Sequence, residues 1–253
     1  MSDLGPKVSI ILPVRNEPTS VLVISRMLNA NVPFTKEIIV VVDSEQDSTN
    51  SDQIKALENV SLVVNTMGRG VWNAVVSGVN KSNSENIVIY LADELTPALS
   101  LEEIIKALVD GHSFVSATRY AGQGKRIGGH ILGRKMSKVA NGIFPFLTGI
   151  RLTDVTTGIK GFKKDFFFNI EKDQTLAGWS MALFLSLEAV KNLDTIVEVP
   201  IVSIDRLYGG HSTFSFFSWS QSYLKLYSRG ILELRSKRKE VNVITRVPFF
   251  WEG

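Results

Sequence analysis

"VSIILPVRNEPTSVLVISRMLNANVPFTKEIIVVVD", residues 8–43, decides the fold. Two apolar, β-branched runs, 8–14 and 37–43, flank a segment whose apolar residues recur at helical spacing over 17–30. The stretch therefore reads strand, helix, strand. Neither strand alternates polar with apolar residues. Such strands are buried on both faces, as in a parallel sheet with helices on either side.

The same rhythm runs on through "VSLVV" (60–64), "NIVIYLA" (86–92) and "SFVSATR" (113–119), with helices expected at 51–58, 70–82 and 100–110. Ser100 and Glu103 stand at the spacing of a capping box, which starts the last of these helices. This succession predicts an α/β chain with an open, doubly wound sheet, where ligands bind beyond the carboxyl ends of the strands. The five strands are followed by Arg15-Asn16-Glu17, by Asp43 to Asp47, by Asn65 to Gly70, by Asp93-Glu94 and by Arg119-Tyr120. One polar loop is ordinary; five on one edge describe a cleft.

Beyond residue 120 the pattern loosens. "AGQGKRIGG" (121–129) reads as a Gly-rich, basic, mobile loop, followed by a helix over 130–147 and by "TDVTTGIKGF" (153–162). A further helix falls near 179–191 and one strand over 195–205. Residues 1–210 read as the main domain. Residues 211–253 read as an aromatic and basic helix with a tail, on which Phe216, Tyr223, Tyr227, Ile231 and Leu234 recur at helical spacing.

Composition removes several function classes. With 253 residues and 44% hydrophobic content the chain can bury a large core. It has no cysteine, which excludes disulfides, thiol catalysis and thiolate metal sites. His112, His130 and His211 are too scattered for a histidine-rich metal centre. A net charge of +3 is too small for an electrostatic nucleic-acid binder. No apolar run is long enough to span a bilayer, and MSDLGPK lacks the marks of a signal peptide. The expectation is a cytoplasmic protein, soluble or attached peripherally at the inner face of a membrane.

Asp43 and Asp93 each sit where a strand gives out. A bare carboxylate would repel a phosphorylated substrate unless a cation intervened, and Mg²⁺ or Mn²⁺ fits that place. The competing reading is that both are turn residues or helix caps. "NTMGRGVWNAVVSG" (65–78) joins a strand, a glycine turn and a helix, a setting suited to anions. It is neither a Walker loop nor G-x-G-x-x-G, since Asn73 stands where the third glycine would. Arg119, Lys125, Arg126, Arg134, Lys135 and Arg206 supply cations for a second phosphorylated group, with ordinary surface charge as the alternative. Residues 212–239 set aromatics before a basic stretch, a composition for an anionic membrane surface, for a core helix or for an oligomer contact. Helical spacing alone leaves those three open.

Taken together, "VSIILPVRNE", "EIIVVVDSEQDST", "GRGVWNAVVSG", "TRYAGQGKRIGG" with "GRKMSKVAN", "TDVTTGIKGF" and "IVEVPIVSIDRLYGGHS" resemble, in order, the motifs of the family-2 inverting glycosyltransferases of GT-A fold. The branch they are most similar to is that of the dolichol-phosphate mannosyltransferases and their prokaryotic polyprenyl-phosphate relatives. The resemblance covers residues 7–228. It implies a GT-A catalytic domain and a nucleotide-diphosphate sugar, GDP- or UDP-linked, bound by Pro13, Arg15, Glu17, Asp43, Gly68, Arg69, Asn73 and Ala92. Asp93 would hold Mg²⁺ or Mn²⁺, with Glu94 a candidate second ligand. Arg206 would neutralise the donor phosphates, and Arg119, Arg134 and Ser137 would bind an acceptor phosphate. Asp154 would lie near the transferred sugar, so that Asp93, Asp154 and Arg206 form the catalytic set.

The implied acceptor is a polyprenyl phosphate or a glycan, and the implied chemistry is in-line displacement with inversion. Partners left open are a membrane surface and further copies of the chain. The sequence departs from the family at Leu91-Ala92-Asp93-Glu94-Leu95, where Asp-Ala-Asp-Leu-Gln is usual. It departs again at Ser180 and Phe184, where acids are frequent, and in a longer Gly209-Gly210-His211-Ser212 turn. Many relatives end in transmembrane helices and this sequence does not. The thinned metal motif keeps a non-catalytic nucleotide-sugar binder open. A sugar-1-phosphate nucleotidyltransferase is disfavoured, because "PVRNEPTS" stands where its Gly-rich basic signature would be.

Overall fold

The computed structural model describes residues 7–92, 94–96, 98–128, 131–171, 176, 178–205, 216–237 and 239–248, and of 94, 95, 98, 205, 216–222 and 237 the backbone alone. Its first half runs β1 (Val8–Val14), α1 (Pro18–Asn31), β2 (Lys36–Val42), α2 (Asp52–Lys55), β3 (Val60–Val64), α3 (Val71–Lys81), β4 (Asn86–Ile89), β5 (Glu94–Leu95) and α4 (Ala98–Val109). The second half runs β6 (Phe114–Thr118), β7 (Lys125–Ile127), α5 (Ile131–Thr148), β8 (Lys160–Lys163), α6 (Lys164–Asn169), α7 (Ser180–Asn192), β9 (Thr195–Pro200), β10 (Val202–Asp205), α8 (Phe216–Lys237) and β11 (Asn242–Thr245).

Eight strands form one sheet in the order β11-β9-β6-β8-β4-β1-β2-β3. Every pairing in it is parallel except the two made by β8, which runs against both β4 and β6. The carboxyl ends of β1, β2, β3, β4 and β6 therefore share one edge, the edge that the sequence marked with polar loops. A second sheet, β5-β10-β7, is built by pairing β10 antiparallel to β5 and parallel to β7.

The unalternating Val and Ile runs are explained by two cores, one on each face. Ile11, Ile39, Ile87 and Ile89 pack with Trp72, Val75 and Val79 of α3, Phe144 of α5, Phe167 of α6 and Leu183 of α7. Ile10, Leu12, Ile38, Val40 and Val88 pack with Val21, Ile24 and Leu28 of α1 and with Leu101, Ile104 and Leu108 of α4. At Gly78 α3 comes so near β1 that a Cβ would stand 2.6 Å from Ile11 Cγ2. Only glycine permits that approach.

Several expectations need correction. Helix α4 starts at Ala98, so Ser100 is not its cap; its hydroxyl is buried and has no hydrogen-bond partner among the described residues. The helix entry is fixed instead by Tyr90, whose hydroxyl donates to Thr96 O (3.1 Å) and accepts from Thr96 N (3.0 Å). The strand expected over 86–92 ends as β4 at Ile89, although residues 90–92 stay buried. The Gly-rich stretch expected to be a mobile loop contains β7, and the strand expected over 195–205 is two strands serving different sheets. The chain changes sheets at Ile201, whose N–H donates to Thr118 O and whose carbonyl accepts from Lys125 N, both at 2.9 Å. Short β8 and β11 had no strand signal in the sequence. The segment set apart at residue 211 returns to the main sheet, where β11 pairs in parallel with β9. On α8 Tyr223, Tyr227 and Leu234 face the first core and Ile231 is buried, while the side chain of Phe216 lies outside the described residues.

Candidate active site

The loops beyond the sheet edge are tied together by carboxylates. Beyond β1, Asn16 takes a left-handed conformation (φ 55°), which asparagine tolerates better than most residues. Its N–H donates to both oxygens of Asp47 (3.0 and 3.1 Å), whose Oδ1 also accepts from Thr49 N at 2.9 Å. The Glu17 N–H donates to Thr49 Oγ1 at 2.9 Å, which fixes the start of α1. Asp47 thus braces the loops after β1 and β2. Pro13 is buried within β1, while Arg15 at its end is exposed.

Asp43 stands after β2. Its Oδ1 accepts from Gly70 N at 3.1 Å and from Asn65 Nδ2 at 3.4 Å. Gly70 is the residue before α3, with φ 126°, and Gly68 has φ 90°. Both values favour glycine. Asn65 completes the turn by donating to Gly68 O (2.6 Å) and accepting from Met67 N and Ser77 Oγ, both at 3.0 Å. Asp43 thus ties the loop after β2 to the turn before α3, and its Oδ2 makes no hydrogen bond among the described residues. Arg69 is exposed beside it, and Asn73 Nδ2 donates back to Arg69 O at 3.5 Å. Ala92, at the end of the buried 90–92 segment, is 5% exposed.

Asp93 and Arg206 lie outside the described residues, as does the Glu94 side chain. Among the described residues no group of three or more His, Asp or Glu is placed to hold a metal ion. The carboxylates at this edge offer only oxygen, the donor that Mg²⁺ and Mn²⁺ prefer. So few protein ligands fit such an ion when substrate phosphates and waters fill its remaining positions.

The other half of the edge is built around Arg119, directly after β6. Its guanidinium grips Asp154 through Nε to Oδ2 (2.7 Å) and Nη2 to Oδ1 (3.0 Å), and its backbone N–H donates to Oδ2 at 3.1 Å. Nη2 also reaches Thr156 Oγ1 (3.0 Å) and Ser137 Oγ (3.3 Å). Asp154 is wholly buried, Arg119 6% exposed. Asp154 accepts further from Thr157 N (3.0 Å), Thr156 N (3.2 Å) and Asn141 Nδ2 (3.2 Å). Burial alone would push its carboxyl up; the Arg119 charge and hydrogen bonds outweigh that and hold it below the usual range. Ser137 is shared: its Oγ lies 2.8 Å from Thr156 Oγ1 and accepts from Tyr120 Oη at 3.0 Å. Arg134, one turn before Ser137 on α5, makes no hydrogen bond among the described residues.

Beneath this pair lie two charges that the sequence analysis did not single out. Glu198 on β9 accepts from Thr153 N (2.9 Å), Thr153 Oγ1 (2.9 Å) and Asp154 N (3.1 Å), and burial raises its carboxyl from 4.5 to about 7. Lys160 on β8 donates to Ser116 Oγ (2.7 Å) and Asp154 O (3.3 Å), and burial lowers its ammonium from 10.5 to about 7. For Glu198 the signal was a lone charge inside the apolar strand "TIVEVP"; Lys160 stands in "GIKGF", which had no strand signal. Buried charges of that kind are rare unless paired.

The structure thus brings Arg119, Ser137 and Asp154 together, and separately Asp43, Gly68 and Asn65. Asp154 has no exposed surface and both its oxygens are occupied, so it stands behind Arg119. Chemically, the first group offers an arginine with fixed aim ringed by hydroxyls, suited to an oxyanion. The second offers a glycine turn at a helix N-terminus.

A family model described as glycosyl transferase family 2 matches residues 9–169. The dolichol-phosphate mannosyltransferase of Saccharomyces cerevisiae is 26% identical over 245 residues, covering 93% of this chain and 86% of that enzyme. The undecaprenyl-phosphate 4-deoxy-4-formamido-L-arabinose transferase of Photorhabdus laumondii is 23% identical over 83% of this chain and 63% of its own length. Among solved structures, glucosyl-3-phosphoglycerate synthase of Mycobacterium tuberculosis with Mn²⁺, UDP-glucose and phosphoglyceric acid superposes with a TM-score of 0.68. It is 14% identical, with 90% of this chain and 81% of that one covered. That likeness establishes the fold, the α/β GT-A arrangement expected from the sequence.

Proposed function

Since the chain belongs to glycosyl transferase family 2 and is a glycosyltransferase, we propose that it moves a sugar from a nucleotide-diphosphate sugar to a polyprenyl phosphate or similar lipid-phosphate acceptor. The observation that carries this reading is the buried Arg119, locked by Asp154 and ringed by Ser137, Thr156 and Tyr120 at the sheet edge. A cation with fixed aim and neighbouring hydroxyls suits a phosphate oxygen. The sequence relatives that act on dolichol phosphate and undecaprenyl phosphate support the acceptor class.

In this reading the donor lies over Pro13, Arg15, Glu17, Asp43, the Gly68–Gly70 turn, Asn73 and Ala92. Asp43 Oδ2 takes the ribose or base, and the N-terminus of α3 faces the diphosphate. Asp93, with Glu94 beside it, would hold Mg²⁺ or Mn²⁺ against that diphosphate, where the ion offsets the charge of the departing group. Arg206 would act on the same phosphates. Arg119 and Ser137, with Arg134 one turn away, orient the acceptor so that a phosphate oxygen attacks the anomeric carbon. The carbon–oxygen bond to the nucleoside diphosphate breaks as the new bond forms, and the leaving group takes the electron pair. That inverts the anomeric centre. An ionised phosphate has no proton to lose, so no base is required. Asp154 acts by positioning Arg119, and its low proton affinity and burial argue against a glycan acceptor activated by this carboxylate.

The test is nucleoside-diphosphate release from GDP- and UDP-sugars, with polyprenyl phosphate, a small phosphorylated acid or an oligosaccharide as acceptor. The reading expects release only with the lipid phosphate, dependent on Mg²⁺ or Mn²⁺ and lost in Asp93→Ala. Unchanged release by that variant removes Asp93 from its role, and donor binding without turnover on any acceptor favours a non-catalytic binder. No helix among the described residues is long and apolar enough to cross a membrane.

A further inference from the structure

Around Arg119 hydrogen-bond donors outnumber acceptors. Ser137 Oγ accepts from Arg119 Nη2 (3.3 Å), Tyr120 Oη (3.0 Å) and Asn141 Nδ2 (3.3 Å). Thr156 Oγ1 accepts from Arg119 Nη2 (3.0 Å) and Asn141 Nδ2 (2.9 Å), and its own proton goes to Asp154 Oδ1 at 3.1 Å. A hydroxyl oxygen has two lone pairs, so both hydroxyls are filled. The oxygens of Asp154 are taken by Arg119, by Asn141 and by the N–H groups of Thr156 and Thr157. A further donor aimed at this cluster finds no open oxygen among these groups.

Tyr223 of α8 is such a donor. Helix α8 lies against α5, where Tyr227 Oη donates to Ala140 O at 2.6 Å and the Tyr227 ring stands 6.3 Å from that of Phe144. Tyr223 comes four residues before Tyr227, on the same face of α8. Its ring is half-buried against the first core. Its hydroxyl makes no hydrogen bond among the described residues, yet it is not sealed from solvent. Both charges of the Arg119–Asp154 pair act on the phenol: burial pushes it above its ordinary range, Arg119 draws it down and Asp154 pushes it up. The group therefore stays protonated, a neutral donor beside a cation. Such a donor, at a cluster whose own oxygens are taken, suits an oxyanion.

We propose that Tyr223 is a further residue of the acceptor site, its hydroxyl donating to an oxygen of the acceptor phosphate beside the Arg119 guanidinium, so that α8 forms one wall of that site. The proposal rests on the lipid-phosphate reading given above. The matched family model ends at residue 169, so this contact comes from a part of the chain beyond it. The two groups divide the task. Arg119 supplies charge, whereas a neutral O–H holds one phosphate oxygen without neutralising it and leaves another free to attack the anomeric carbon.

The test compares the full chain with its Tyr223→Phe variant, which removes the hydroxyl alone. A short-chain, water-soluble prenyl phosphate serves both as acceptor in turnover and as titrant in calorimetry. In the variant, KM and Kd for the prenyl phosphate should rise about tenfold or more, the loss of one hydrogen bond to a charged group. The donor KM and the melting temperature should stay at the wild-type values, because no bond within the protein is broken. Tyr227→Phe gives up the Ala140 bond instead, and should lower the melting temperature while sparing the prenyl phosphate Kd. An unchanged Kd in Tyr223→Phe, an equal rise in donor and acceptor KM, or a lowered melting temperature in that variant would each overturn the proposal. Transfer to the prenyl phosphate with unchanged KM removes Tyr223 from the site and leaves the lipid-phosphate reading standing. Prenyl phosphate binding weakened by Tyr223→Phe, in a chain that transfers sugar only to other acceptors, upholds the contact and removes that reading instead. A wild-type chain that binds no prenyl phosphate overturns both.

Discussion

Replacing Asp154 by asparagine tests whether this carboxylate serves Arg119 or the substrate. Oδ2 of Asp154 accepts from Arg119 N and Nε, at 3.1 and 2.7 Å, while Oδ1 accepts from Arg119 Nη2 and Thr157 N, both at 3.0 Å. An asparagine keeps one acceptor oxygen. With that oxygen in the Oδ1 position, its amide group points N–H bonds at two N–H donors of Arg119. Arginine does not deprotonate in proteins, so a guanidinium 6% exposed loses its facing carboxylate. Breaking such a pair from one side costs about 3–5 kcal/mol, a large share of the ~5–15 kcal/mol that holds a domain folded. Denaturant unfolding followed by circular dichroism should show this as a lower midpoint at unchanged slope. Asp154→Leu combined with Arg119→Met should recover part of the loss, because an apolar pair leaves no buried charge there. A loss under about 1 kcal/mol in Asp154→Asn, or a double variant as unstable as the summed single changes, would refute the argument. An Asp154→Asn protein of native stability that has lost turnover would place Asp154 on the substrate instead.

Gly78→Ala sets a methyl 2.6 Å from Ile11 Cγ2, so α3 must lift from β1. A loss of about 1–3 kcal/mol is expected in the same unfolding assay, and a neutral change would mean the contact is slack. Glu198 releases its proton near 4.5 when unfolded and near 7 when folded, so the folded state holds more protons between those values. Stability should therefore fall as pH rises from about 4.5 to about 7, and Glu198→Gln should flatten that fall. Lys160 keeps its proton to 10.5 unfolded but only to about 7 folded, so stability should climb from about pH 7 upward, a slope that Lys160→Met removes. Melting temperatures over a pH series check both, and curves parallel to wild type would contradict them.

Much of the parallel sheet was legible because strands buried on both faces leave little choice of residue. Val40 and Val41 enter different cores, and either one polar would have broken the pattern. The strand edge was legible for the same reason, since polarity returns abruptly at Arg15, Asp43 and Arg119. What escaped had no periodic signal. Strand β8 spans four residues, too short for alternation to be distinctive, and it runs against its neighbours. Strand β7 lies in a glycine-rich stretch whose composition argues for a loop, yet pairing with β10 orders it. The start of α4 was misplaced because Ser100 and Glu103 have capping spacing, while the Tyr90–Thr96 clamp that sets the entry is a contact beyond any local pattern. At the site, Arg119 stood out as a cation at a strand end, whereas Ser137 and Asp154 were found through family motifs. Glu198 and Lys160 were passed over because their partners, Thr153 and Ser116, come from distant parts of the chain.

The central claim concerns what receives the sugar, and the most direct measurement is the product itself. Purified chain incubated with GDP- and UDP-sugars, polyprenyl phosphate and Mg²⁺ or Mn²⁺ would be analysed by mass spectrometry, with NMR of the anomeric centre. The account predicts a glycosyl phospholipid whose anomeric configuration is inverted relative to the donor, and none when Arg119 is replaced by methionine in a folded protein. Sugar found on a glycan hydroxyl, a retained configuration, or full yield from the Arg119→Met protein would contradict it.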